Sequence, residues 1–273
     1  FKLFENRVSG TLDVYTANTT ELLLDKKLPT LTGFSSITTN IGNLKNKGLD
    51  LGITTINVTN SDFVWTSTFN AHYNTNKIVS LTGELVEKEV NGQTVLVEPD
   101  DITNEWFIGQ NKDVIWEYEV DGIYQLGEEA AAGVYGLFPG DFKIIDQDDN
   151  GVINLDDKVF QGLKTNPWHL TLRNDVEYKN FDLGVVLLAK LKQKGGTIEP
   201  FNARQEYIKN HNWYNIPYWT PNNPINDAAR INSVQLNNGN IWTSNSYLRV
   251  QSISLGYNIP ESVIEKFKIR RAR

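Results

Sequence analysis

The chain has 273 residues with a formal net charge of −7; 40% of its residues are hydrophobic, and it contains no cysteine and no methionine. The lack of cysteine excludes disulfide bonds, thiolate metal sites and a cysteine nucleophile, and the negative charge argues against a nucleic-acid partner. The sequence has no apolar run of the length that a transmembrane helix requires.

Alternating apolar and polar residues recur along the chain, and this period of two predicts β-strands with one apolar and one polar face. In the first such segment Val8, Gly10, Leu12 and Val14 share the apolar face. The last segment alternates imperfectly, which predicts a β-bulge. The predicted strands, in chain order, are residues 7–15, 63–73, 169–178, 181–190 and 246–257.

The predicted strands are about ten residues long, which is the length that a tilted strand needs to cross a bilayer. Short turns at 59–62 and 178–182 alternate with long connections, a layout typical of outer-membrane barrels. We therefore predict an all-β fold, an antiparallel transmembrane β-barrel wall with long extracellular loops. A short helix is predicted at 260–269. Aromatic residues near the strand ends would form the interfacial girdles, namely Tyr15, Tyr73, Tyr178 and Tyr257.

Residues 84–157 form an acidic insert, with 19 acidic residues against three lysines. Its last twelve residues, DQDDNGVINLDD at 146–157, have the ligand spacing of an EF-hand calcium loop, with aspartate where glutamate is usual at the final position. Gly151 permits the sharp turn. The flanking segments are short and strand-like, unlike the helices of an EF-hand. We therefore predict a structural Ca²⁺ that holds a long loop in shape. The predicted ligands are Asp146, Asp148, Asn150, the backbone carbonyl of Val152, Asn154 and Asp157.

A second candidate site is the proline-bounded stretch NWYNIPYWTPNNP at 212–224. Its aromatic rings are suited to stacking against sugars or to a protein interface. The alternative is a loop whose rings pack against one another. The candidate residues for a substrate or partner are Trp213, Tyr214, Tyr218 and Trp219.

The sequence contains no motif that indicates catalysis, neither a glycine-rich phosphate loop nor HExxH or GxSxG. The histidines His72, His169 and His211 are far apart in the sequence, two of them on polar strand faces, and we interpret all three as hydrogen-bonding residues. Paired carboxylates such as Glu128 and Glu129 are expected by chance in acidic loops. We therefore predict that the protein is not an enzyme and has no catalytic residue.

Seven motifs follow one another along most of the chain: NRVSGTLDVYTANTTELLL, LPTLTGFSSITTNIGNLKNKGLDLGI, DGIY, PGDFKIIDQDDNGVINLDDKVFQG, YKNFDLGVVLLA, YWTPNNP and SNSYLRVQSISLGYNIP. In this order they resemble the C-terminal part of the SusC/RagA family of TonB-dependent outer-membrane transporters from Bacteroidetes. The resemblance implies a 22-stranded barrel, of which residues 1–273 would supply part of the C-terminal half. The plug, the TonB-interacting segment and any signal peptide would lie upstream.

The resemblance also implies a function in the outer membrane, in contact with its lipid. Members of the family import glycans, oligosaccharides or peptides with a SusD-like surface lipoprotein, using energy delivered through TonB, ExbB and ExbD. The family's acidic loop corresponds to residues 146–157, in agreement with calcium. Its YWTP loop corresponds to Tyr218–Pro221, which we place near the lid or the substrate.

The residues alone leave one alternative, a secreted, calcium-stapled β-rich module that binds glycans or proteins. Strand length and the largely apolar strand faces favour the membrane protein. Detergent dependence of the full-length protein distinguishes the two.

Overall fold

The structure, a computed structural model, describes residues 1–27, 33, 36–90, 92–196, 217–230, 233 and 242–273. It divides into two compact units. Unit 1 comprises Phe1–Asp113, Thr165–Gln193 and Ser246–Arg273, and unit 2 comprises Val114–Lys164 and Lys194–Asn245. Within the described ranges, no helix combines the length and the apolar character needed to cross a membrane.

The described chain consists mostly of β-strands. The strands are β1 (Lys2–Leu3), β2 (Val8–Lys27), β3 (Ser36–Thr59), β4 (Phe63–Ser80), β5 (Val86–Val90), β6 (Gln93–Val97), β7 (Val114–Tyr118), β8 (Val120–Ile123), β9 (Phe142–Ile144), β10 (Lys158–Leu163), β11 (Trp168–Tyr178), β12 (Phe181–Leu191), β13 (Lys194–Gly196), β14 (Trp242–Ser244) and β15 (Tyr247–Tyr257). The helices are α1 (Glu129–Val134), α2 (Glu261–Ile264) and two 3₁₀ turns, Leu155–Asp157 and Glu265–Phe267.

Unit 1 is built on a seven-stranded sheet in the order β1-β2-β3-β4-β11-β12-β15, with every neighbouring pair antiparallel. All five predicted strands are present, as β2, β4, β11, β12 and β15. The predicted tight turns join β3 to β4 and β11 to β12. The predicted bulge is also present: Val186 pairs with Ser252 and Leu187 with Val250, which leaves Gln251 as the extra residue.

In the seven-stranded sheet, the sequence prediction underestimates the length of two strands and misses the long strand β3 and the two-residue strand β1. β2 and β4 run 20 and 18 residues, because both continue past the point where the alternation of apolar and polar residues ends. β3 is 24 residues long but has a weak pattern, since Gly48, Gly52 and a bulge after Ile56 interrupt it. A strand prediction based on alternation alone therefore finds the apolar section of each strand and not its polar extension.

The register of the sheet places the predicted apolar residues on one surface, here called the apolar face. Leu12 pairs with Leu51, Leu51 with Ala71, and Ala71 with Leu170, so one unbroken row crosses four strands. The face as a whole includes Val8, Leu12, Val14, Leu49, Leu51, Ile53, Phe69, Ala71, Leu170, Leu172, Val176, Leu183, Val185, Leu187, Ala189, Leu248, Val250, Ile253 and Leu255. The opposite surface, the polar face, includes Asp13, Arg173, Asp175 and Glu177.

Aromatic side chains border the apolar face at both ends. At one end Tyr73 and Trp168 have ring centroids 4.6 Å apart. The other end is formed by the cross-strand row Phe63, Tyr178, Phe181 and Tyr257. Trp168 and Tyr178 are the first and last residues of β11, so the two ends lie about 33 Å apart along the strand. At a tilt of about 40° this spans about 25 Å, the height of a membrane barrel's apolar band.

Tyr15 does not belong to this border, contrary to the sequence prediction. It pairs with Gly48, one position along from the apolar Val14, and so lies on the polar face. There its hydroxyl accepts a hydrogen bond from Asn74 Nδ2 at 2.7 Å. Its ring occupies the space that a Cβ at Gly48 would need, which explains the glycine at this position.

Unit 2 contains three two-stranded ladders, β7–β10, β8–β9 and β13–β14. Its core has two small clusters of buried side chains. The first is formed by Ile123, Phe142 and Trp219, and the second by Tyr124, Ala132 and Leu137.

Candidate functional site

The predicted calcium loop lies in unit 2 between β9 and β10, and it folds as a compact turn. One carboxylate oxygen from each of Asp146, Asp148 and Asp157 lies within 4.8 Å of the other two. Gly151 has φ +80°, a conformation that glycine adopts at little cost. The structure therefore brings together three of the six predicted ligand residues through their carboxylates.

Asp157 holds the two ends of the loop together. Its side chain is fully buried, and its Oδ1 accepts from the backbone N–H of Gln147 at 2.8 Å. Its Oδ2 accepts from the backbone N–H of Asn154 at 2.7 Å. The Asn154 side chain in turn accepts from Asp156 N–H, which completes a capping box on the 3₁₀ turn. Both carboxylate oxygens of Asp157 thus take part in closing the loop.

The remaining predicted ligands take part in the turn itself. Asn150 Oδ1 accepts from the backbone N–H of Val152 at 2.8 Å, and Asn150 Nδ2 donates to Asp148 Oδ2 at 2.8 Å. An amide oxygen has two lone pairs, so Asn150 and Asn154 can each hold the loop and still face a cation.

The environment of Asp146 keeps it ionised. Partial burial by itself would raise the pKa of this carboxyl, but hydrogen bonds outweigh it and the pKa lies below its usual value. The donors are the backbone N–H groups of Gly151 and Asn150 and the hydroxyl of Tyr135. The carboxylate is therefore available as an anionic ligand at neutral pH.

The donor set fits calcium. Ca²⁺ binds oxygen ligands at about 2.3–2.6 Å, so two oxygens on one ion are at most about 5 Å apart. The carboxylate oxygens of Asp146, Asp148 and Asp157 meet this limit. Three carboxylates at this distance repel one another unless a cation balances their charge.

The aromatic loop is described only in part. Trp213 and Tyr214 lie outside the described residues. Trp219 is 5% exposed and packs against Ile123 and Phe142, and its Nε1 donates to Gln125 Oε1 at 2.9 Å. Because the Trp219 ring is buried, it serves packing within the protein and is not placed to contact a ligand.

Sequence reasoning misses the contacts that anchor this loop. Asp141 is fully buried and forms an ion pair with Arg230 at 2.9 Å, while Ser233 Oγ donates to it at 2.7 Å. The sequence shows an arginine shortly after the aromatic loop, but no local pattern indicates that Asp141 is its partner.

Polar side chains interrupt the apolar face at one place and bond to one another. Ser67 Oγ and Trp65 Nε1 donate to Asn174 Oδ1 at 2.7 and 3.1 Å, and Asn57 Nδ2 donates to Ser67 Oγ at 2.7 Å. Mutual hydrogen bonding is what a polar group requires in a bilayer, because lipid offers no partner.

Known proteins similar to this chain are TonB-dependent receptors. TonB-dependent receptor P3 of Formosa agariphila is 31% identical over 99% of the chain, which covers 27% of that receptor. TonB-dependent receptor SusC of Bacteroides thetaiotaomicron is 25% identical over 94% of the chain, which covers 25% of SusC. No family model matches the chain. The chain thus spans about a quarter of the length of these relatives.

The fold agrees with these similarities. The structure of the RagAB peptide importer in the open-open state matches 96% of this chain with a TM-score of 0.65 and 20% identity, over 27% of that chain. A second RagAB peptide transporter structure matches with a TM-score of 0.62 and 21% identity, over 96% of this chain and 28% of that chain.

Along nearly its whole length the chain is similar to TonB-dependent receptors, SusC among them. The resemblance carried by the seven motifs is therefore confirmed, and so is the predicted fold class, an antiparallel all-β wall of which the described strands form an open section. The two candidate sites lie in different parts of the described fold. The apolar face belongs to the strand wall, and the carboxylate cluster lies in the connection between β4 and β11.

Proposed function

We propose that the chain forms part of the barrel wall of an outer-membrane TonB-dependent importer for glycans, oligosaccharides or peptides. The observation that carries the proposal is the apolar face bordered by aromatic rows, in a chain similar along 99% of its length to a TonB-dependent receptor. The apolar face contacts lipid, and the polar face with Asp13, Arg173 and Glu177 lines the interior. This arrangement keeps charges out of the hydrocarbon region, where an arginine or lysine costs about 2–4 kcal/mol at the midplane.

The proposed partners follow from the same relationship. A SusD-like surface lipoprotein covers the importer from outside, and TonB with ExbB and ExbD supplies energy through parts of the protein beyond residues 1–273. The RagAB structures, described as a peptide importer, support a two-component assembly of this type.

Calcium has a structural role in this proposal. The ion would bind Asp146, Asp148 and Asp157, the amide oxygens of Asn150 and Asn154, and the backbone carbonyl of Val152. It would thereby fix the loop between β9 and β10. The support is the 4.8 Å carboxylate cluster and the buried Asp157. The ion would neutralise the negative charge of the clustered carboxylates. We assign no catalytic step to this site.

The experiment uses the full-length protein in its native outer membrane. The protein is extracted with detergent, and its polypeptide mass and co-purifying proteins are determined by mass spectrometry. A polypeptide several times the 31.0 kDa of this chain, in a detergent-dependent complex with a surface lipoprotein, supports the proposal. Deletion of TonB should then abolish cargo accumulation while surface binding persists. A protein of about this chain's mass that is soluble without detergent and has no lipoprotein partner supports the secreted binding module instead.

A further inference from the structure

A row of ionisable side chains crosses the polar face of unit 1 at a single level. The register pairs each member directly with the next on five neighbouring strands. In order across the sheet the row consists of Asp13 on β2, Asp50 on β3, His72 on β4, His169 on β11 and Lys190 on β12. Two of the three histidines of the chain thus meet, although they are far apart in sequence.

The two histidine rings lie side by side on neighbouring strands, β4 and β11, with one ring nearly perpendicular to the other. Their centroids are 6.0 Å apart with an interplanar angle of 76°, and the pairing of the two strands is unbroken over their whole contact. A ligand nitrogen lies about 2.0–2.1 Å from a zinc ion, so two imidazoles on one ion have centroids roughly 5–6 Å apart. The observed centroid separation of 6.0 Å lies at the upper end of this range.

Each ring has one nitrogen engaged by the protein. His72 Nδ1 is bonded to a carboxylate oxygen of Asp50, and since an ionised carboxylate only accepts, the ring is the donor. The ring of His169 is hydrogen-bonded to the backbone of Asn166. Metal-binding histidines almost always donate their second ring nitrogen to a carboxylate or backbone carbonyl, which fixes the tautomer and makes the ligand nitrogen more basic.

We propose that His72 and His169 bind one divalent first-row transition metal ion, Zn²⁺ or Cu²⁺, with one ring nitrogen each. Imidazole suits these ions, and water fills the remaining coordination positions. The His72 and Asp50 side chains are 45% and 47% exposed, so the sheet itself leaves the pair accessible to an ion.

The charges along the row act in opposite directions on a bound cation. Asp13 and Asp50 lie directly opposite each other, and two carboxylates in that position repel. A cation at the neighbouring histidines reduces this repulsion, whereas Lys190 on the far side of His169 opposes it. The site is therefore expected to be of modest affinity and sensitive to the charge at Asp50 and Lys190.

This site differs from the carboxylate loop in chemistry and in place. The loop offers hard oxygen ligands, which suit calcium, and belongs to unit 2, whereas the histidine pair offers nitrogen ligands on the sheet of unit 1. An ion at the pair joins β4 to β11, whose connection runs through residues 81–167. A metal ion that joins the two ends of a long connection stabilises the folded protein, because it restricts the conformations open to the unfolded chain.

The test titrates Cu²⁺ into the full-length protein in detergent and records electron paramagnetic resonance spectra and binding stoichiometry. The variants are His72→Gln, His169→Gln and Asp50→Asn, with His211→Gln as the control for a histidine outside the pair. Either His→Gln change in the pair should remove one equivalent of Cu²⁺ and its nitrogen hyperfine pattern, and the double variant should lose no more. Asp50→Asn should weaken binding by about 10–100-fold without changing stoichiometry.

Two outcomes overturn the proposal. One is an unchanged Cu²⁺ stoichiometry in both His→Gln variants, and the other is a loss of the same size in His211→Gln. Intact folding of each variant is checked by its heat-dependent mobility on gels. If neither variant folds, the spectrum of the wild-type protein tests the proposal. The first equivalent of Cu²⁺ should then show two nitrogen ligands, and a spectrum without them would overturn the proposal.

Discussion

Arg230 binds Asp141 through two nitrogens of its guanidinium group, Nε to Oδ1 at 2.9 Å and Nη2 to Oδ2 at 3.2 Å. Asp141 has no exposed surface and also accepts from the backbone N–H of Phe138. A Cβ on Gly140 would collide with both Trp219 and Arg230. The bidentate pair therefore positions the YWTP loop against the core of unit 2.

The first prediction concerns this pair. Arg230→Ala leaves the Asp141 charge buried without its partner, which costs about 3–5 kcal/mol, so residues 217–230 should lose protection in hydrogen exchange of the full-length protein. The control is Lys143→Ala, because Lys143 pairs with Glu128 where both side chains are about one-third exposed. Such surface pairs contribute less than about 1 kcal/mol. Equal loss of protection in the two variants would contradict the anchoring role of Arg230.

The second prediction concerns calcium. Asp146→Asn should weaken Ca²⁺ binding by at least about tenfold, because affinity in such loops follows the charge of the ligands. Asp156→Asn is the matched control, since this exposed aspartate lies in the same loop and outside the carboxylate cluster. Calorimetric titration after chelation measures both affinities. Similar affinities for the two variants would show that the cluster is not the calcium site.

The third prediction tests the two faces of the sheet. Val185→Arg places a charge on the apolar face, with a cost of about 2–4 kcal/mol near the midplane, and should lower the yield of folded protein in the outer membrane. Ser254→Arg adds the same charge on the polar face, opposite Gly184, and should be tolerated. The measurement is the amount of heat-modifiable protein in outer membranes. Equal yields would mean that the faces are assigned incorrectly.

The fourth prediction is a pH dependence at Glu98, which caps the end of β4. Burial alone would raise its pKa, but hydrogen bonds from Gly83, Ser80, Leu81 and Thr82 outweigh burial and hold the pKa below the usual 4.5. Because the folded-state pKa is depressed, the stabilisation is complete above the ordinary pKa and is lost as the pH falls through the folded-state value.

Hydrogen exchange at the Leu81 and Gly83 amides, which both donate to Glu98 Oε1 at 2.7 Å, measures this effect. Protection factors corrected for the intrinsic rate should be constant near neutral pH and should fall below about pH 4.5. Glu98→Gln should show lower protection at neutral pH and no such decline. A wild-type profile that is flat to pH 3 would contradict the role of the ionised carboxylate.

The sequence predicts those parts of the fold that repeat a simple pattern. Alternation locates β11 and β12, and ligand spacing locates the Asp146–Asp157 turn, because both signals lie within a dozen consecutive residues. It does not predict that His72 meets His169 or that Asp141 meets Arg230. These contacts depend on the register between distant segments, and no local pattern encodes which residue stands opposite which. The polar extensions of β2 and β4 are missed for a related reason, since their backbone pairing requires no apolar face.

The continuous register of β11 has a consequence for assembly. β11 pairs with β4 and with β12 through all eleven of its residues without a register shift, whereas the β2–β3, β3–β4 and β12–β15 pairs each contain at least one register shift. A slip of one residue would turn Arg173, Asp175 and Glu177 outward together. In the proposed barrel wall these three charges would then face lipid, where an arginine alone costs about 2–4 kcal/mol near the midplane. Insertion into the bilayer would therefore select for the correct alignment of β11.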